Sequence, residues 1–127
     1  MQDLSGYWSG QYFYGDSRPP VDFDIELTHI ASKLSGIITE PNSFEPTGGA
    51  LLSADITGSL AGSVVKFIKS YKGGHDVRYI GQLSPEGDVI TGDWTIISYG
   101  GSFTMRRDLG RKAEVKDMLR VVVDGDI

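Results

Sequence analysis

Cysteine is absent from the sequence, so no disulfide framework, thiolate nucleophile or cysteine-ligated metal is available to it. Histidine is almost as scarce. His29 and His75 are the only two, well separated in the chain, and no metal site is expected from them. No apolar run approaches the length of a membrane-crossing helix. The opening residues, Met1-Gln2-Asp3-Leu4-Ser5, carry no basic stretch followed by an apolar one. They read as lacking a signal peptide, and a cytoplasmic location is expected. Positive charge is in deficit: the formal net charge of -5 argues against a phosphate-binding surface, so no nucleic-acid partner is expected. The one local basic stretch, Lys66, Lys69, Lys72 and Arg78, reads as a strand pair with solvated charges.

Glycine, in contrast, is plentiful. Seventeen are spread over turns and apolar segments rather than run in tandem, which suggests a sharply bent β fold. The 127 residues fit one domain, burying roughly two-thirds of the surface of the unfolded chain.

The clearest signal is residues 21–28. Val21, Phe23, Ile25 and Leu27 alternate with Asp22, Asp24, Glu26 and Thr28. Successive strand side chains point to opposite faces, so this is a strand with one buried and one wet face. The same period recurs in Trp8, Gly10, Tyr12 and Tyr14; in Leu34, Gly36 and Ile38; and in Ala54, Ile56, Gly58 and Leu60. It continues through Val65, Phe67 and Tyr71; Val77, Tyr79, Gly81 and Leu83; Ile90, Gly92, Trp94 and Ile96; and Gly101, Phe103 and Met105. Gly36, Gly58, Gly81 and Gly92 all fall on the apolar face. A closed barrel needs small residues beside large ones there, whereas a sandwich wants bulk. The fold class expected is all-β: an eight-stranded antiparallel up-and-down β-barrel over residues 1–107.

Turns are expected at residues 31–33, 61–62 and 84–88 at one end, and at 15–20, 41–52, 72–76 and 99–100 at the other. The loop at 41–52 is the longest and reads equally as a lid or as a simple insertion. After Arg107 the period changes. Val115, Met118, Leu119 and Val122 fit one face of an amphipathic α-helix in a C-terminal segment, residues 108–127. Asp108 is a candidate cap, and the apolar stripe would dock on the barrel, a second subunit or a protein partner.

Gly6-Tyr7-Trp8 opens the first strand, and Arg107 shares parity with Phe103 and Met105 in the last. These residues resemble the Gly-x-Trp signature of the calycin superfamily, which covers lipocalins, fatty-acid-binding proteins and avidins. The resemblance implies a barrel closed at one end by Gly6, Trp8 and Arg107, with the other end open, often to a small apolar ligand. The second lipocalin signature, Thr-Asp-Tyr, is missing.

Parity and strand direction place Tyr12, Tyr14, Glu40, Lys69, Tyr71, Val77 and Tyr79 inside the barrel near its open end, with Ser98 closing the seventh strand. The floor beneath them is Trp8, Phe23, Phe67, Trp94, Phe103 and Met105. The candidate ligand-binding residues are therefore Tyr12, Tyr14, Glu40, Phe67, Lys69, Tyr71, Tyr79, Trp94 and Phe103. An apolar cavity with few convergent polar groups is the usual form of a small-molecule site. Glu40 and Lys69 read either as the polar anchor of a ligand or as an internal salt bridge tying strands together. His29 reads as packed at the closed end and His75 as exposed in a mouth turn. Neither a nucleophilic triad nor a phosphate loop has sequence support.

Three functions are compatible with these residues. The first is non-catalytic binding of a small apolar or amphipathic molecule, with no cofactor. The second is a structural or protein-interaction module whose barrel is filled by its own side chains. The third is an enzyme using Lys69, Glu40 or a tyrosine as acid or base. Volume discriminates between the first two: with Tyr12, Tyr71 and Tyr79 all inward, little room is expected for a ligand.

Overall fold

The structure, a computed structural model, describes residues 3–41, 51–71 and 74–109. Eight strands follow one another: β1 (Gly6–Phe13), β2 (Val21–Ile30), β3 (Lys33–Pro41), β4 (Leu51–Ala61), β5 (Val64–Ser70), β6 (Asp76–Leu83), β7 (Val89–Ile96) and β8 (Tyr99–Arg107). Each pairs antiparallel with the next, and β8 returns to β1, closing the barrel. Among the described residues every strand therefore has a neighbour on both sides, and none is a sheet edge. The proposed helix after residue 108 and the lid in the 41–52 loop fall largely or wholly outside the described residues, as does Lys72.

The alternation read in β2 is the alternation of burial. Phe23, Ile25 and Leu27 are buried, whereas Asp22, Glu26 and Thr28 are exposed. One inward residue in each ladder is commonly a glycine beside something large. Gly58 lies between Leu34 and Phe67, and Gly10 between Phe23 and Met105. A Cβ on Gly58 would run into the Lys66 carbonyl oxygen, so only glycine lets β4 and β5 approach so closely. At Gly81 a Cβ would meet two side chains, at Ile90 Cγ2 and Phe103 Cζ, and the Thr91 carbonyl oxygen, all at 2.9 Å.

Two features differ from the expectation. The β7–β8 turn is at Ile97 and Ser98, not at Tyr99-Gly100, which belong to β8. Ser98 is accordingly exposed in the turn instead of closing the inner wall. Ile96 pairs with Tyr99, leaving two residues to reverse the chain, and Ile97 adopts a positive φ of 51° to do so. The basic stretch also divides. Lys66 and Arg78 are exposed, but Lys69 is buried. Its register opposite Ile56 and Val77 puts it on the inner face, where solvation is not available.

The base is sealed from within. Trp8 is wholly buried, and its indole N–H donates to the Leu4 carbonyl oxygen at 2.9 Å. The Arg107 guanidinium lies 4.8 Å from the Trp8 ring centroid, close enough for a cation–π contact. Arg107 Nε donates to the Gly87 carbonyl at 2.9 Å, Nη1 to the Ser5 carbonyl at 3.3 Å and Nη2 to the Asp3 carbonyl. Gly6, with φ 127°, turns the chain from this strap into β1. His29 packs at the same end, its Nδ1 accepting the Leu4 N–H at 3.0 Å.

Candidate functional site

The lower half of the barrel is filled. Phe67 stacks on Tyr79 with centroids 4.6 Å apart, and Phe103 meets Tyr79 edge-on at 5.1 Å. Above this layer a cavity of about 360 Å³ opens at the mouth. Such a volume lies in the range of small-molecule pockets. Tyr12, Tyr71 and Tyr79 all line it, so three inward tyrosines leave more room than their bulk suggested.

One wall is aromatic. Tyr14 meets Trp94 edge-on at 5.6 Å, and Trp94 meets Tyr99 at 5.9 Å. The Trp94 indole N–H is already committed to the Phe13 carbonyl at 3.0 Å, so this wall presents mainly ring faces and edges. Leu52, Val77 and Ile96 add aliphatic surface. At the rim, the Arg18 guanidinium covers the Tyr14 ring at 3.9 Å and pairs with Asp16 at 2.8 Å.

The opposite wall is polar. Glu40 near the end of β3 and Lys69 near the end of β5 are the only buried charged residues among those described. They are 5% and 2% exposed, and Lys69 Nζ lies 3.2 Å from Glu40 Oε2. The other carboxylate oxygen accepts from the Tyr71 hydroxyl and, at 3.4 Å, from the Tyr12 hydroxyl. Lys69 has one hydrogen-bond partner among the described residues, and aromatic faces occupy much of its remaining surroundings. Its Nζ lies 4.8 Å from the Tyr12 and Tyr71 centroids and 5.5 Å from that of Tyr79. A desolvated ammonium is tolerable there because a carboxylate and three ring quadrupoles face it.

Burial pulls the Lys69 ammonium below the ordinary lysine range, against the opposing influence of Glu40. The three phenols move the other way. Burial first, and then the Glu40 carboxylate, raise Tyr12, Tyr71 and Tyr79 well above the usual tyrosine value. At neutral pH the phenols are therefore donors, and the site as a whole carries no net charge from this cluster when Glu40 and Lys69 are ionised.

Of the nine candidate ligand-binding residues, Tyr12, Tyr14, Glu40, Lys69, Tyr71, Tyr79 and Trp94 meet at the cavity. Phe67 and Phe103 do not reach it. They lie in the layer beneath, buried against Tyr79. Val77, placed inside near the open end by its parity, lines the cavity as well, and Leu52, Gly74, His75, Ile96 and Tyr99 complete the lining. Ile96 shares the inward parity of Trp94, a signal that was present. His75 and Gly74 lie in a turn, where alternation gives no direction. The described residues contain no cluster of His, Asp and Glu suited to a metal ion. Their fold and site define a closed antiparallel barrel, filled at its base and hollow at its mouth. In comparison with known proteins, no family model matches the chain, and no curated protein matches its sequence.

Proposed function

We propose that the chain is a non-catalytic binding module that takes a small, largely apolar or amphipathic molecule into the barrel mouth. The observation that carries this reading is the cavity itself: about 360 Å³, with aromatic and aliphatic walls and one compact polar patch at Glu40, Tyr12 and Tyr71. Burying a ligand's apolar body there is favourable at roughly 25 cal/mol per Å² of apolar surface removed from water. The polar patch would fix its orientation. The Gly6, Trp8 and Arg107 base supports placing the barrel with the calycins, a resemblance that implies an open end often holding a small apolar ligand.

Native mass spectrometry beside the denatured mass tests the reading. A bound molecule lost on denaturation is expected, together with a fluorescence rise when the neutral apolar dye N-phenyl-1-naphthylamine is added to unloaded protein. Ile96→Trp, which places an indole in the cavity, should abolish the dye signal. A bare chain with no dye response, or a response that Ile96→Trp leaves intact, would remove the cavity from the function.

A further inference from the structure

Among the described residues, Lys69 is the only buried lysine, and it stands in the wall of the cavity rather than behind it. A salt bridge serving only to tie strands has no need of such a position. The aliphatic stem of Lys69 comes from β5, where Ile56 and Val77 flank it in register. Its amino group thus stands at the level of the polar patch, with Glu40 Oε2 at 3.2 Å and the Tyr71 hydroxyl on the other Glu40 oxygen.

We infer that Lys69 is a covalent anchor for a carbonyl-bearing ligand, an aldehyde held as a protonated imine with the Glu40 carboxylate as its counter-ion. The inference rests on the binding reading above and names the class of ligand it would take.

The chemistry closes with the groups present. Lys69 passes one proton to Glu40, leaving a neutral amine beside a carboxylic acid. The amine nitrogen attacks the carbonyl carbon, a C–N bond forms as the C=O π bond opens, and the proton that nitrogen sheds passes to the oxygen to give the carbinolamine. Glu40 returns its proton to that hydroxyl, and the C–O bond breaks as water leaves through the open mouth. The nitrogen lone pair closes the C=N bond, so nitrogen ends as an iminium facing the Glu40 carboxylate. The sum is ammonium plus aldehyde giving iminium plus water, with no oxidant or reductant consumed. One positive charge faces Glu40 before and after, so the electrostatic balance of the barrel interior is preserved. The Tyr12, Tyr71 and Tyr79 faces that receive an ammonium would receive a planar iminium equally well. Tyr71 is half-buried at the entrance and is the ring whose displacement would admit the carbonyl. Desolvation assists, because weaker proton affinity raises the fraction of free amine, the form that attacks.

The test is to incubate the full chain with cinnamaldehyde and sodium cyanoborohydride at neutral pH, then to locate the adduct by peptide mapping. Reduction adds the mass of the aldehyde less one oxygen. Labelling of Lys69 at least about tenfold faster than Lys33 or Lys66 is expected, since the cavity holds the aldehyde beside the Lys69 amine and makes the attack effectively intramolecular. Loss of the fast adduct in Lys69→Met combined with Glu40→Gln, which removes both charges together, would support the assignment. Labelling confined to surface lysines, or a fast adduct that persists in the double variant, would overturn it. Cinnamyl alcohol, which cannot form an imine, separates the two readings. If it displaces the dye while Lys69 stays unlabelled, the cavity binds and the covalent anchor is wrong. If it fails to displace the dye while Lys69 is labelled, the anchor stands without that mode of binding.

Discussion

Lys69 and Glu40 depend on each other more than either contributes alone. Their mutual attraction offsets the cost of taking two charges out of water, so removing one partner strands the other. Lys69→Met should cost about 3–5 kcal/mol, whereas the same change combined with Glu40→Gln should recover most of that loss. Urea denaturation of both variants measures the difference. A single variant as stable as the parent would show that Glu40 is adequately held by Tyr12 and Tyr71 alone. The surrounding phenols give a second expectation. Tyr12, Tyr71 and Tyr79 should remain protonated beyond the pH at which free tyrosine ionises, near 10.0. Ultraviolet titration in native and denaturing solvent would reveal phenolate appearing for these three only on unfolding.

The pH dependence of stability follows from these directions. Lys69 is lowered in the fold relative to 10.5, so the unfolded chain holds the extra proton and the cost to the fold is relieved as pH rises towards that value. The phenols are raised, so above about pH 10 the unfolded chain sheds protons that the folded chain keeps. Their stabilisation is present at neutral pH and is lost as pH climbs through that region. Three phenols oppose one amine, and the net contribution of the cluster above pH 10 is a steep loss. Chemical denaturation at a series of alkaline pH values should show it, and stability still rising with pH there would contradict the raised phenols.

At the scale of strands and turns, the alternation of side chains carried most of the information. Phe23, Ile25 and Leu27 announced their face because Asp22, Glu26 and Thr28 occupied the other. Glu40 and Lys69 were legible as inward residues by the same count, although parity says nothing of whether two such residues will meet. Composition points to Tyr99-Gly100 for the β7–β8 turn for a local reason: that pair contains the glycine that turns favour, while Ile97-Ser98 contains none. Pairing of Ile96 with Tyr99 overrides that preference and holds Ile97 at φ 51°, a conformation costly for a β-branched side chain. Ile97→Gly should therefore stabilise the protein by about 0.5–1 kcal/mol, the relief of strain exceeding the added freedom of the unfolded chain. Gly58→Ala should do the reverse, losing about 1–3 kcal/mol as β4 and β5 are forced apart. Thermal unfolding of the two variants should shift in opposite directions.

Taken as one body, the molecule is half packed and half hollow. The stacked Phe67, Tyr79 and Phe103 layer and the Arg107–Trp8 seal hold the base, while the mouth gives up packing for volume. Volume was the quantity least readable from the sequence, because the angles at which Tyr12, Tyr71 and Tyr79 lean cannot be taken from their spacing. A ligand that fills the space binds the folded chain alone. At a hundred times its dissociation constant it should add about 2.7 kcal/mol of stability. A melting temperature that climbs with ligand concentration would register the gain, and Ile96→Trp should flatten that dependence.

Closure of β8 onto β1 also has a meaning during synthesis. Trp8 leaves the ribosome well before residues 99–107, yet its guanidinium partner is Arg107 and its strand's second neighbour is Tyr99–Arg107. Until that segment emerges, β1 carries an unanswered ladder and the base has no seal. The nascent chain must hold seven strands' worth of apolar faces without a finished barrel, and a pause in translation before residue 107 would prolong its most adhesive state.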